Sequence, residues 1–286
     1  MEPRTRVGEG CWNWLASNRA AFEPFREDDP LRSKRLLAYG ELTGILGNCL
    51  RRGARGDALG ALTAFVRAGD AGYDWEAQAI RSPAFAVALA VRARFRIAAG
   101  LADAMPPPAL ARHVALRTLD ALELAPYRAF ELEHLLAACG LGSGRRTRFD
   151  RRLRDALAIL AKPPSSFTNH DRYALTHLVF ALCDDGTRRA EAVAARPALA
   201  RLRWLVAVCG RMALLERDLD VLAELVSCVR YLELDEPWLV EAAFALAAAS
   251  QDADGSLPTF AEPPPGDAGR FFERYHATLM WAHAAT

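Results

Sequence analysis

Two stretches of the chain carry residue types that can move protons. The first is Asn169–Gly186, NHDRYALTHLVFALCDDG. Laid on a helix at about 100° per residue, it places Leu175, Leu178, Val179 and Leu182 on one stripe. His170, Tyr173, Thr176, His177, Phe180 and Asp184 fall on the opposite stripe, and Asp171 lies away from it. Imidazole titrates near neutral pH, and carboxylate and phenol can accept or donate beside it. Exposed faces elsewhere are written in Arg, Glu and Asp, as in Arg145–Asp155. A face of His, Tyr, Thr and Phe therefore reads as the lining of a semi-buried site, with a solvent-facing stripe as the alternative. Asn169 is the expected N-cap of this helix and Gly186 its expected C′ residue.

The second stretch is the C-terminal FFERYHATLMWAHAAT, where His276 and His283 share a face with Leu279 and Met280. His276 is the better candidate there for an acid, base or hydrogen-bond donor. Glu41 joins the candidates because it is a lone acid in the otherwise apolar Leu36–Leu50, where a carboxylate must be paired or functional. Glu131 and His134 stand at i,i+3 spacing and read as a surface pair. Zinc on His170, His177 and Asp184 fails on distance, since residues seven apart on a helix are separated by about 10.5 Å along its axis. A zinc site drawing His177 and His276 from two helices is the weaker alternative. The chain holds no Walker loop, GxGxxG, HExxH or GxSxG motif and no DDxxD run. The candidate catalytic residues are thus His177, His276, Tyr173, Asp184, His170 and Glu41, and no cofactor or metal is expected.

The elements that must position these side chains are helices. Ala and Leu dominate the composition while Val, Ile and Thr are sparse, which favours helix over strand. Helical periodicity recurs near 9–22, 31–51, 57–68, 74–100, 108–124, 128–140, 147–162, 170–184, 188–195, 198–214, 216–231, 236–250 and 271–285, and no alternating run of strand length interrupts it. Breaks fall at Asp28-Asp29-Pro30, Met105–Pro108, Gly140–Gly144 and Pro263–Gly266, among others. The expectation is an all-α chain of about six helical hairpins closed into an α/α toroid, a single domain over residues 1–286. A hinge at Gly140–Arg146 is the one alternative boundary. Ala198–Leu215 and Leu239–Ala249 are apolar around much of their circumference and are expected to be buried on most sides. The six cysteines form no CxxC pair and read as buried thiols. Net charge is +1, so neither nucleic acid nor an acidic membrane surface is an expected partner. No apolar leader and no run long enough to span a bilayer is visible, which places the expected protein in the cytoplasm.

Gln251, Asp254, Gly255 and Ser256 match the Gln-x-x-Asp-Gly-Ser loop of α/α-toroid proteins, the terpene cyclase and protein prenyltransferase relatives. Tyr275-His276-Ala277-Thr278 resembles the start of a lumen helix in the prenyltransferase β-subunit, whose histidine binds zinc. The Asp-x-Cys ligands that accompany it in that family are absent upstream. Tyr173–His177 with Asp184 and Gly186, together with Tyr275–Thr278, also looks like a family of actinobacterial proteins with no assigned reaction. Its members tend to be encoded beside natural-product biosynthesis genes. The resemblance implies the context of specialised metabolism; with the enclosed cavity of a toroid and its His and Asp groups, the expectation is a cofactor-independent tailoring enzyme that cyclises or eliminates a small biosynthetic intermediate in the lumen. Aziridine-type closure with an anionic leaving group is one concrete version. The rivals are a non-catalytic scaffold or carrier-binding protein of a biosynthetic complex, and a zinc-dependent transferase or hydrolase. A partner subunit or a homodimer is a further possible partner.

Overall fold

A computed structural model describes residues 2–24, 30–101, 106–142, 144–261 and 271–286. The expected breaks at Asp28-Asp29, Met105, Ser143 and Pro263–Gly266 lie outside the described residues. Among the described residues there are thirteen α-helices and no strand. They are α1 Pro3–Ser17, α2 Arg32–Arg51, α3 Asp57–Gly72, α4 Trp75–Arg81, α5 Pro83–Ala98, α6 Pro108–Ala115, α7 Pro126–Leu136, α8 Arg146–Leu157, α9 Asn169–Cys183, α10 Arg196–Glu216, α11 Leu219–Tyr231, α12 Pro237–Ser250 and α13 Phe271–Ala285. Helices α1, α5, α6, α7, α10 and α12 carry proline in their first turn, where the missing N–H removes no helical bond. Pro83 also divides the single expected helix 74–100 into α4 and α5. No described helix is long and apolar enough to cross a membrane.

The helices gather into two compact units, one made of Met1–Ala21 with Leu157–Thr286 and one of Phe22–Ala156. The Gly140–Arg146 segment lies inside the second unit, so the hinge expected there is not the boundary between units.

In the unit Phe22–Ala156, α5 packs against α2, α4, α6 and α7. Tyr39 stacks on Trp75 with ring centroids 5.9 Å apart, and Phe95 and Phe130 are fully buried. The buried acid here is Glu133, not Glu131. Arg145 donates to both of its oxygens at 2.8 and 3.0 Å, and Arg148 adds a further bond. Glu131 pairs instead with Arg128 at 2.9 Å.

In the other unit α11 is the central element. Every residue from Leu219 to Val229 is buried, and α9, α10, α12 and α13 all pack on it. Asp218 caps its start, accepting from the Val221 N–H at 3.2 Å. The two helices expected to be buried on most sides, α10 and α12, bury one face each and leave Trp204, Leu215 and Trp238 exposed. In α12 the apolar residues are largely alanine, whose small side chain costs little to leave in water.

Helix α1 lies against α13 and α12. The Gln-x-x-Asp-Gly-Ser loop fastens these three together. Gln251 Nε2 donates to the carbonyls of Val7 and Gly255 at 3.2 and 3.0 Å, and Trp14 Nε1 donates to Asp254 at 3.1 Å. Gly255 has φ +93°, and a Cβ there would lie 2.4 Å from the Gly10 carbonyl oxygen. Only glycine fits that turn.

Candidate functional site

Asp220 and Glu224 stand one turn apart on α11. Facing them, α9 presents Tyr173, Thr176 and His177, and α13 presents His276. Helix α9 is held by a capping box in which Thr168, not Asn169, is the N-cap: Thr168 accepts from the Asp171 N–H and Asp171 from the Thr168 N–H. Asn169 reaches out to Asp218 at 3.5 Å. Helix α13 is registered by Thr278, which accepts from the Leu257 N–H at 2.9 Å, and by Trp281, which donates to the Leu219 carbonyl at 2.9 Å.

Asp220 connects the three helices. Its Oδ1 accepts from His276 Nδ1 at 2.7 Å and its Oδ2 from the Tyr173 hydroxyl. The Tyr173 and His276 rings meet edge to face, 6.3 Å between centroids. Glu224 Oε2 accepts from the Thr176 hydroxyl, while His276 Nε2 stands 3.7 Å from Glu224 Oε1. The side chains of His276, Asp220 and Glu224 are 26%, 10% and 2% exposed, so access to the cluster runs over the imidazole. Tyr173 and His177 are half-buried beside it.

Electrostatics separate the two carboxyls. Burial presses Asp220 towards the neutral acid, but the charge and hydrogen bond of His276 and the Tyr173 hydroxyl outweigh it, and its carboxyl stays below the usual range. At Glu224 burial prevails and the carboxyl is raised, against the opposing pull of His177, His276 and the Thr176 hydroxyl. Burial and the neighbouring Asp220 and Glu224 charges push the Tyr173 phenol far above its ordinary value. Asp218, at the edge of the cluster, is pushed up to about 6 by burial with Asp220 adding to it, against the Val221 N–H and Arg172.

Chemically, an ionised Asp220 can only accept, so it holds an imidazole proton on Nδ1, and Nε2 serves as a base once its own proton has left. The same carboxylate keeps Tyr173 in its phenol form as a donor.

The sequence-derived candidates divide accordingly. Tyr173, His177 and His276 come together around α11. Asp184 does not join them. It is the C-cap of α9, with φ +47°, and accepts from the Thr187 hydroxyl at 2.7 Å. His170 is exposed in the first turn of α9. The stripe through 170, 177 and 184 drifts by about 20° per seven residues, and the helix ends at Cys183. Glu41 belongs to α2 in the other unit. His283 is buried and bonds to the Tyr231 hydroxyl at 2.9 Å.

Asp220 and Glu224 were not among the candidates. The reasoning that singles out Glu41 applies with more force to Asp220 and Glu224, the two acids in the otherwise largely apolar LDVLAELVSCV. Among the described residues no group of three or more His, Cys, Asp or Glu side chains is disposed to hold a metal ion.

These elements define an all-helical protein with a Tyr–Asp–His–Glu acid–base cluster buried among three helices. The chain belongs to the family described as domain of unknown function DUF6895, whose profile matches residues 9–286. Comparison with curated proteins and with solved structures finds no match.

Proposed function

We propose that this protein is a cofactor-independent enzyme of specialised metabolism that cyclises or eliminates a small biosynthetic intermediate, with His276 as its base. The observation that carries the reading is the double acceptance by Asp220. One carboxylate orients the imidazole through Nδ1 and holds the Tyr173 hydroxyl as a neutral donor, leaving Nε2 for the reacting proton. An oriented base of this kind contributes a rate factor on the order of 10² to 10⁴. His177 lies on the same side of α9 as a second imidazole for binding or proton transfer. The reading keeps a closed toroid of about six helical hairpins as its architecture, with the cluster turned towards the lumen.

The test is H276A in the producing strain. Expected is loss of the wild-type metabolite with accumulation of its precursor, while the purified variant keeps its helical circular dichroism. An unchanged metabolite profile with a folded variant removes His276 from catalysis and leaves the scaffold reading in its place.

A further inference from the structure

Glu224 is not needed by a base that relies on Asp220 alone, yet it is the most enclosed titratable group of the cluster. Resting on the reading just given, we propose that Glu224 is the proton donor of this site, and that its substrate carries a leaving group needing protonation, such as a hydroxyl, alkoxy or amine, rather than a phosphate or sulfate.

Three observations carry this. The first is geometric. Glu224 Oε1 and His276 Nε2 are 3.7 Å apart, so one substrate region can lie within hydrogen-bond reach of both. Thr176 meets the other oxygen, Oε2, and its single hydroxyl hydrogen is shared with the Tyr173 carbonyl at 3.0 Å, so Oε1 is the oxygen that faces the imidazole.

The second is the company Glu224 keeps. His177 from α9 and His276 from α13 draw it towards ionisation, Asp220 and its own burial oppose this, and burial is the largest influence. Cys228, one turn further along α11, is itself held as a neutral thiol, mainly by burial. Two carboxyls one turn apart are thus pushed in opposite directions, Asp220 towards the carboxylate and Glu224 towards the acid, the pattern by which an acid and a base coexist in one site.

The third is the disposition of positive charge. Each of the helices α9, α11 and α13 carries one arginine and no lysine, and all three arginines are engaged. Arg172 binds Glu216 through both terminal nitrogens, Arg230 donates to the Ala284 carbonyl, and Arg274 pairs with Asp252. The N-terminus of α11, otherwise an anion site, is filled by the Asp218 cap. A departing phosphate would meet Asp220 while the arginines of these three helices are already engaged, whereas a departing hydroxyl or amine needs only a proton.

The step closes without a co-reactant. His276 Nε2 takes the proton from a substrate N–H or O–H, whose electron pair forms the new bond to carbon. The carbon–leaving-group bond breaks with its electron pair on the leaving atom, which takes the proton of Glu224. The proton on His276 then passes to the Glu224 carboxylate, and the site is restored.

The experiment has two parts. Infrared difference spectra of the purified full-length protein, wild type against E224Q, are taken at a pH above the range in which Asp218 titrates. A carboxylic-acid carbonyl band in the wild type that is missing from E224Q is expected; absence of such a band overturns the proposal. In the producing strain, E224Q is expected to lower product at least about a hundredfold, as H276A does, and the accumulated precursor should retain the hydroxyl, alkoxy or amine that the product lacks. Product lost in H276A but unchanged in E224Q sinks the role of Glu224 and spares that of His276. A precursor bearing a phosphate or sulfate ester sinks the leaving-group class. Product unchanged in H276A sinks the underlying reading itself.

Discussion

Asp218 and Asp220 are two residues apart on the same turn, yet their carboxyls move in opposite directions because only Asp220 faces an imidazole and a phenol. Asp218 has a folded-state value of about 6 against an ordinary 3.8. A carboxyl raised in this way is held more tightly as the acid by the folded chain, so its contribution to stability falls as pH rises from about 3.8 to about 6 and stays lost above that. D218N keeps a side chain that caps helices well and removes the buried charge. It is expected to unfold at higher denaturant than wild type at pH 8, by about 1–2 kcal/mol, and to lose that advantage near pH 4. Urea titrations at the two pH values measure the difference. At this scale Tyr173, His177 and His276 were legible because aromatic and imidazole side chains are unusual on the polar face of a helix. Asp220 and Glu224 were not, since an amphipathic template reads α11 as core with stray acids. Only their partners, 47 to 56 positions away in the chain, reveal them as a site.

Among the elements, α9 depends on its first turn. The Asp171 carboxyl sits at about 2, since the Lys162 ammonium and the Thr168 N–H and hydroxyl outweigh its modest burial. A depressed carboxyl stabilises the fold above its unfolded value and loses that contribution as pH falls through the folded one. D171A is therefore expected to cost about 1 kcal/mol near neutral pH, and the gap from wild type should narrow between pH 4 and pH 2; thermal melts across that range report it. Helix positions were largely readable: α13 runs Phe271–Ala285 as the periodicity predicts, and α10 exceeds its expected span by two residues at each end. The misreadings have local causes. Pro83 breaks a continuous apolar pattern, and 188–195 supplies only a 3-10 turn at Ala190–Ala192. Apolar composition imitated burial in α10 and α12, while the truly enclosed α11 carries Asp, Glu, Ser and Cys among its apolar residues.

At the scale of the whole molecule, the unit Phe22–Ala156 is contiguous in sequence, whereas the other is assembled from both ends of the chain. Residues 22–156 expressed alone are expected to remain helical and to melt cooperatively, with Glu133 still clasped by Arg145 and Arg148. A sloping, non-cooperative melt would show that this unit has no independent core. Nothing in the sequence marks the boundaries at 21 and 157, because no linker composition sets them off and the split follows from long-range packing. The pairing of α1 with α13 has a consequence during synthesis. Until residues 271–285 have been made, α1 waits without this partner and the carboxyls of α11 have no imidazole from residue 276. The intervening unit can mature early, whereas the Asp220–His276 pair forms only once α13 has joined α11. A chain cut before residue 271 therefore lacks the Asp220–His276 pair on which the proposed chemistry rests.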